Sequence, residues 1–292
     1  MNNLSANYQK ILQTIRPFAK KINFPRQNRK PKLKNIELIA LNLTAEYMSI
    51  DSENQLFRIL PQKLSQRITR TVYNRRKRGL FHQIENLRQK LAKAFNEFED
   101  TSIVDSMPLP VAKIARAKRS TICQENEETA PNMGYCPSQK VNYYGYKLHA
   151  VCSIRGIVSH FDLTKASVHD VNYLKDVKHN CKNCTIIADK GYIGDDYKQD
   201  LLKTSNICLE VPLKKNQKNY RKYPPIFKKQ RKRIETVFSQ LGEQFNLKRN
   251  YAKSFTGLAT RLLSKITAFT TIQYINKFHF NRDINKVKTN IT

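Results

Sequence analysis

The chain has 292 residues, 40% of them hydrophobic, with a mean hydropathy of −0.62 and a formal charge of +30. That length and apolar share support one sizeable core plus a smaller domain and exclude a disordered tail. The charge calls for a polyanionic partner, nucleic acid before any other, although a structural nucleic-acid binder or a membrane-surface protein fits the charge alone.

No run of about 18 apolar residues is long enough to span a bilayer. The opening MNNLSANYQKILQTIRPFAKKI has no apolar core followed by a cleavage site, so the expected location is the cytoplasm, with no membrane partner. The one close pair among the six cysteines is Cys181 and Cys184. A single pair is weak support for zinc or for a redox site, and free thiols in a reducing cytoplasm are the simpler reading.

In chain order, YQKILQTIRPFAKKI is a short amphipathic segment and PRQNRKPKLKN a basic linker or arm. From 36 to 99 apolar residues recur every three to four positions, with a break around Ser49-Ile50-Asp51, so helices are expected. Residues 1–99 thus form a small helical, basic domain. Its run Arg75, Arg76, Lys77 and Arg78 is expected to contact DNA rather than serve only as a solvated face.

The period changes near residue 101. TSIVD predicts a short strand ending at Asp105, and the two prolines of SMPLPV predict that the chain then leaves the sheet. YYGYKLHAVCSIRG and IVSHFDLTKA predict a hairpin turning at Arg155-Gly156. VHDVNYLKDVKHN is helical, TIIAD is a strand ending at Asp189, DDYKQDLLKTS is a helix and ICLEVPL another strand. Residues 214–233 hold ten lysines and arginines in twenty positions and no acid. A helix carries IETVFSQL, further amphipathic helix follows in SFTGLATRLLSKITAFTTIQYINKF, and 271–292 reads as a polar tail. Strands alternating with helices over 100–270 make this an α/β domain.

Three carboxylates stand out. Asp105 and Asp189 end strands, where α/β domains gather ligands. Glu235 lies beside the apolar stripe of Ile234, Val237, Phe238 and Leu241. Convergent carboxylates in a basic groove suit two divalent ions about 4 Å apart that clamp a phosphodiester. Read singly, Asp105 could be a turn former, and Glu235 a partner of Arg231 four residues before it.

The motifs VDSMPLPV, YYGYKLHAV, DLTKASVHDV, IIADKGYIG and KRIETVFSQL, in that order, resemble the DDE transposases of bacterial insertion sequences, most nearly the insertion-sequence 982 group. The resemblance spans roughly residues 36–270. It implies a ribonuclease-H-like catalytic domain in which Asp105, Asp189 and Glu235 are the catalytic metal ligands. It also implies Mg²⁺ dependence with Mn²⁺ able to substitute, DNA cleavage at element ends and strand transfer into target DNA. Its partners would be the terminal inverted repeats, the target DNA and further copies of the chain in a homodimer or larger synaptic complex, acting at the bacterial nucleoid.

Related transposases carry tyrosine, arginine and lysine around the glutamate. Arg231 fits the arginine, but Lys228 and Gly242 stand where the tyrosine and lysine would be. Lys190, Lys214, Lys215, Arg221, Lys222, Lys228 and Arg231 are the expected phosphate contacts of the catalytic domain. His149 and His169 are open between packing and a place at the site. A DNA-binding regulator without catalysis and a nuclease lacking strand transfer are the competing functions.

Overall fold

A computed structural model of the chain describes residues 3–25, 29–95, 100–213, 220, 222–249 and 251–292. These form two compact units, Met1–Asn96 with Gln240–Thr292, and Glu97–Ser239.

The first unit is helical: α1 (Leu4–Ala19), α2 (Asn35–Tyr47), α3 (Glu53–Ile59), α4 (Gln62–Ser65), α5 (Arg70–Gly79) and α6 (Phe81–Lys93). α1 starts where the Asn3 side chain accepts the Ala6 N–H and buries Leu4, Tyr8, Ile11, Leu12 and Ile15 along one stripe. The break at Ser49 is a left-handed residue, φ 56°, that ends α2. Against α2 and α6 packs a long C-terminal helix, Phe255–Phe278.

The boundary drawn from sequence at residue 270 therefore differs from the division at 239/240. The cause is the last helix, which is not amphipathic but buried on nearly every side. Its polar residues tolerate this because Thr260, Ser264, Thr267, Thr270 and Thr271 donate their hydroxyls to the carbonyl one turn back. Nor is 271–292 a frayed tail. Val287 and Ile291 are buried, and Asn276 Nδ2 holds the carbonyls of Ile284 and Lys286 at 3.2 Å.

The second unit is a mixed sheet with helices. Its strands are β1 (Thr101–Ala112), β2 (Asn132–Cys136), β3 (Val141–Ser153), β4 (Val158–Lys165), β5 (Cys184–Ile187) and β6 (Ile207–Glu210). The order is β2-β3-β1-β5-β6, with β4 sharing the outer edge of β3 with β2. The β3–β4 hairpin turns at Gly156, φ 94°, a backbone angle that favours glycine. Helices α7 (Leu174–Asn180) and α8 (Asp195–Ser205) cover one face, around Val104, Val151, Tyr173, Ile186, Ala188, Tyr192 and Leu209. α9 (Pro225–Gln244) leaves this unit near its end, and Phe255–Phe278 is α10.

One expectation fails in an informative way. β1 does not stop at Asp105; it runs on through Pro108 and Pro110, paired with Lys147 and Gly145 of β3. β5 pairs with β1 only over Thr101–Ile103, so beyond Ile103 one edge of β1 has no strand partner among the described residues. A missing proline N–H costs no ladder bond on such an edge.

Candidate active site

The fork where β5 parts from β1 positions two acids. Ile103 pairs with Ile187 as the last rung, and Asp105 and Asp189 each follow two residues later. Because side chains alternate along a strand, each lies on the same face as its isoleucine, opposite the face bearing Val104 and Ile186. Asp189 then stands at the head of a single 3₁₀ turn, Lys190–Tyr192, and its side chain makes no capping bond there. The third acid comes from α9, whose Ile234, Val237 and Leu241 are buried while Glu235 is half exposed.

Arg231 draws the three together. Its Nη1 lies 3.7 Å from Asp105 Oδ2 and 3.9 Å from Asp189 Oδ1, and its Nη2 lies 3.0 Å from Glu235 Oε1. The side chains of Asp189 and Glu235 are 49% and 51% exposed and that of Asp105 only 19%. Burial accordingly pushes the Asp105 carboxyl up to about 7. The Ser106 N–H, 2.8 Å from Oδ1, and the Arg231 charge pull it down, while Asp189 and Asp170 push it further up.

Behind Asp105, on the opposite face of the sheet, lies a network that sequence reasoning missed. Asp170 Oδ1 accepts from Ser106 Oγ and from Lys147 Nζ, both at 3.0 Å, and Lys147 also donates to the Val168 carbonyl at 2.8 Å. Gly191 fits closely against Asp170: a Cβ there would meet Oδ2 at 3.0 Å. His149 is wholly buried. Its Nε2 lies 2.8 Å from Thr164 Oγ1, its Nδ1 3.5 Å from Tyr192 Oη, and its ring stacks on Tyr173 with centroids 4.7 Å apart. Burial lowers its pKa to about 4, with Lys147 adding to the fall and Asp170 opposing it. His149 is thus a neutral packing residue that seats the Tyr192 loop. His169 is exposed at the start of a 3₁₀ turn, and its side chain makes no capping bond there. The sequence signals for this network were slight: a lysine interrupting the apolar YYGYKLHAV, and an acid at a helix start.

The expected phosphate contacts divide. Arg75 and Arg78 are exposed, but Lys77 is buried with its Nζ 2.7 Å from Glu53 Oε1, and Arg76 donates to the Leu33 carbonyl and Asn35 Oδ1. The apolar spacing that buries Tyr73 carries Lys77, one turn later, inward with it. Lys190, Lys222 and Lys228 are exposed, Arg231 holds the acids, and Lys214, Lys215 and Arg221 lie outside the described residues. Lys113, Arg116, Lys118 and Arg119, around a 3₁₀ helix (Ile114–Arg119), form a further exposed basic cluster that was not among the expected phosphate contacts.

Among the described residues no group of three His, Cys, Asp or Glu side chains is drawn together tightly enough to hold a metal ion. The donor set still fits a hard divalent cation. It comprises three carboxylates with neither thiol nor imidazole, already gathered around one positive charge.

Residues 96–270 match the family model described as the transposase DDE domain. The match covers more than half of the chain, and the protein belongs to this DDE transposase family. Membership supports DNA binding, DNA cleavage and strand transfer, and metal-dependent catalysis in general terms. None of the curated proteins matches the chain. Among the described residues no helix is long and apolar enough to cross a membrane.

Proposed function

We propose that the chain is the transposase of a bacterial insertion sequence of the 982 group, with a ribonuclease-H-like catalytic domain. In this reading Asp105, Asp189 and Glu235 are its catalytic acids. The observation that carries the reading is the convergence of these three residues, from two strands and one helix, on the single guanidinium of Arg231. A structural ion pair needs one acid for one base; three around one leave negative charge to be balanced by something that binds.

The three acids would hold Mg²⁺, or Mn²⁺ in its place. The metal would supply an activated water and charge neutralisation at the reacting phosphate. The chain's own part is positioning. The buried Asp105 is held by the Ser106 N–H. The Asp189 loop is anchored from behind by Tyr192, and Glu235 rides on a helix whose opposite side is packed. The exposed Lys190, Lys222 and Lys228 would bear on backbone phosphates and so contribute affinity rather than base discrimination. Cleavage breaks the P–O3′ bond at the element end as water adds to phosphorus. The released 3′-hydroxyl then takes the place of water in an attack on target DNA, so no covalent enzyme intermediate is needed.

Recognition of the terminal inverted repeats falls to residues 1–99, where Arg75 and Arg78 are exposed. Processing two ends together calls for a homodimer or larger assembly, acting at the nucleoid. The test is incubation of the full chain with labelled duplex DNA carrying the element's ends, with and without Mg²⁺. Metal-dependent nicking and joining, lost in Asp189→Ala while DNA binding persists, is the expected result. Tight binding without cutting under Mg²⁺ and Mn²⁺ would leave a DNA-binding regulator instead.

A further inference from the structure

We infer that Arg231 is the resident counter-ion of the acidic cluster and that a divalent cation must displace it, so that cation and guanidinium compete for one position. This rests on the acids being metal ligands, as proposed above.

The distances give the guanidinium its place. One nitrogen is shared by Asp105 and Asp189 and the second faces Glu235. Among the described residues no other lysine or arginine reaches any of the three within ion-pair distance. Lys190, next in sequence to Asp189, and Lys228, three residues before Arg231 on α9, are both exposed. Without Arg231 three like charges would face one another around a largely buried Asp105, at a cost in folding stability. With it, a second cation entering the same space meets a positive charge a few ångströms away.

For a cation to take its place, the Arg231 side chain has to move. It can do so, because it is 25% exposed on a helix whose basic face continues through Lys228 and Lys232. A DNA phosphate is the natural acceptor for the freed guanidinium. Phosphate would then draw Arg231 off the acids as cation enters. DNA and divalent cation should therefore strengthen one another's binding by the same factor.

The experiment is a thermal-shift titration of the full-length chain with Ca²⁺ and with Mn²⁺, free of DNA. The cation concentration giving half the maximal shift is the readout. Arg231→Gln should melt lower than the native chain without metal, yet reach half-shift at about tenfold lower cation concentration. Lys232→Gln, which removes the same charge from an exposed neighbour, should move the midpoint by less than about twofold. Arg231→Lys, which keeps the charge but loses the planar fork, should fall between the two. An Arg231→Gln midpoint equal to or above the native value overturns the inference. If that variant does not fold, an unchanged midpoint in Arg231→Lys overturns it.

Asp105→Asn separates the two levels of the argument. A cation shift abolished in Asp105→Asn but unaltered in Arg231→Gln sinks the counter-ion role and leaves the acids as ligands. A shift that persists in Asp105→Asn sinks the ligand assignment itself.

Discussion

Each of the two units contains a cation held by acid, and the two settings differ in every respect that bears on function. In the helical unit Lys265 Nζ lies 2.6 Å from Glu46 Oε2 and 2.6 Å from the Phe245 carbonyl, with side chains 2% and 6% exposed. There one charge answers one charge, and the ammonium donates to two buried acceptors. In the sheet unit one arginine faces three carboxylates, at longer distances and with two of the three half exposed. Balanced, dry and short describes a structural lock. Unbalanced, half exposed and long is the setting that the proposed ligand-binding role calls for.

Substitutions on the two sides should accordingly separate activity from stability. The largest effect expected is on chemistry. Asp189→Ala should lower the rate of strand cleavage by at least about 10³-fold in a labelled-DNA nicking assay, since on the proposed reading it removes one of the three cation ligands. The same change should leave the melting temperature of the metal-free chain unaltered or raise it, because it relieves repulsion. Lys265→Met should do the reverse. Leaving Glu46 buried without its partner should cost about 3–5 kcal/mol in denaturant unfolding, with cleavage per folded molecule retained. Adding Glu46→Leu should recover much of that loss. If Lys265→Met instead abolished cleavage at full stability, the contrast between lock and site would collapse.

A pH titration sharpens the comparison within the sheet unit. His149, faced by Tyr173, Tyr192, Thr164, Asp170 and Lys147, is held near pKa 4, below its ordinary 6.5. Between those values the unfolded chain holds more protons, so this residue's contribution is present above pH 6.5 and is lost as pH falls toward 4. Asp105 runs the other way. Raised to about 7 from 3.8, it binds its proton more tightly in the folded chain, and its contribution is lost as pH rises through that range. The opposed slopes, worth in full about 3 kcal/mol for His149 and about 4 kcal/mol for Asp105, should largely cancel in metal-free buffer. Asp105→Asn should unmask acid instability, seen as a falling denaturation midpoint from pH 6.5 to 4. His149→Asn should unmask the opposite slope, and a flat profile in both variants would contradict these shifts.

How much of this was legible before folding follows from what each residue depends on. The strands around Val104, Val151 and Ile186 are read from short apolar runs, because β-branched residues bounded by turn formers depend mainly on local context. Asp189 at the end of IIAD was visible for the same reason. The course of β1 past Pro108 was not, since a proline is acceptable only on an edge, and whether that edge is open depends on where β5 stops. The enclosure of α10 was equally hidden. Its threonines read as a polar face, and only their bonds to the preceding turn let them be buried. Lys77 and Arg76 looked like part of a basic surface run, yet helical phase and a glutamate 24 residues away turn one of them inward. Asp170 lay in plain sight in DLTKASVHDV, but its partners Ser106 and Lys147 come from two other strands, and no spacing rule connects them.

That network supports the smallest effect, and the most discriminating one. Asp170 touches the chain beside each aspartate: Ser106 next to Asp105, and Gly191 two residues past Asp189. Gly191→Ala would bring a methyl group within 3.0 Å of Asp170 Oδ2. That oxygen ends a side chain able to rotate, so the cost to stability should be only about 1 kcal/mol. Rotation would, however, loosen its bonds to Ser106 and Lys147 and let the fork behind the acids shift by a few tenths of an ångström. Catalytic geometry is less forgiving than packing. Cleavage should therefore fall several-fold more than the lost stability accounts for, with kcat reduced and DNA affinity held. If kcat follows the fraction folded and nothing more, the brace behind the sheet is part of the fold alone, and the site ends at its four charged side chains.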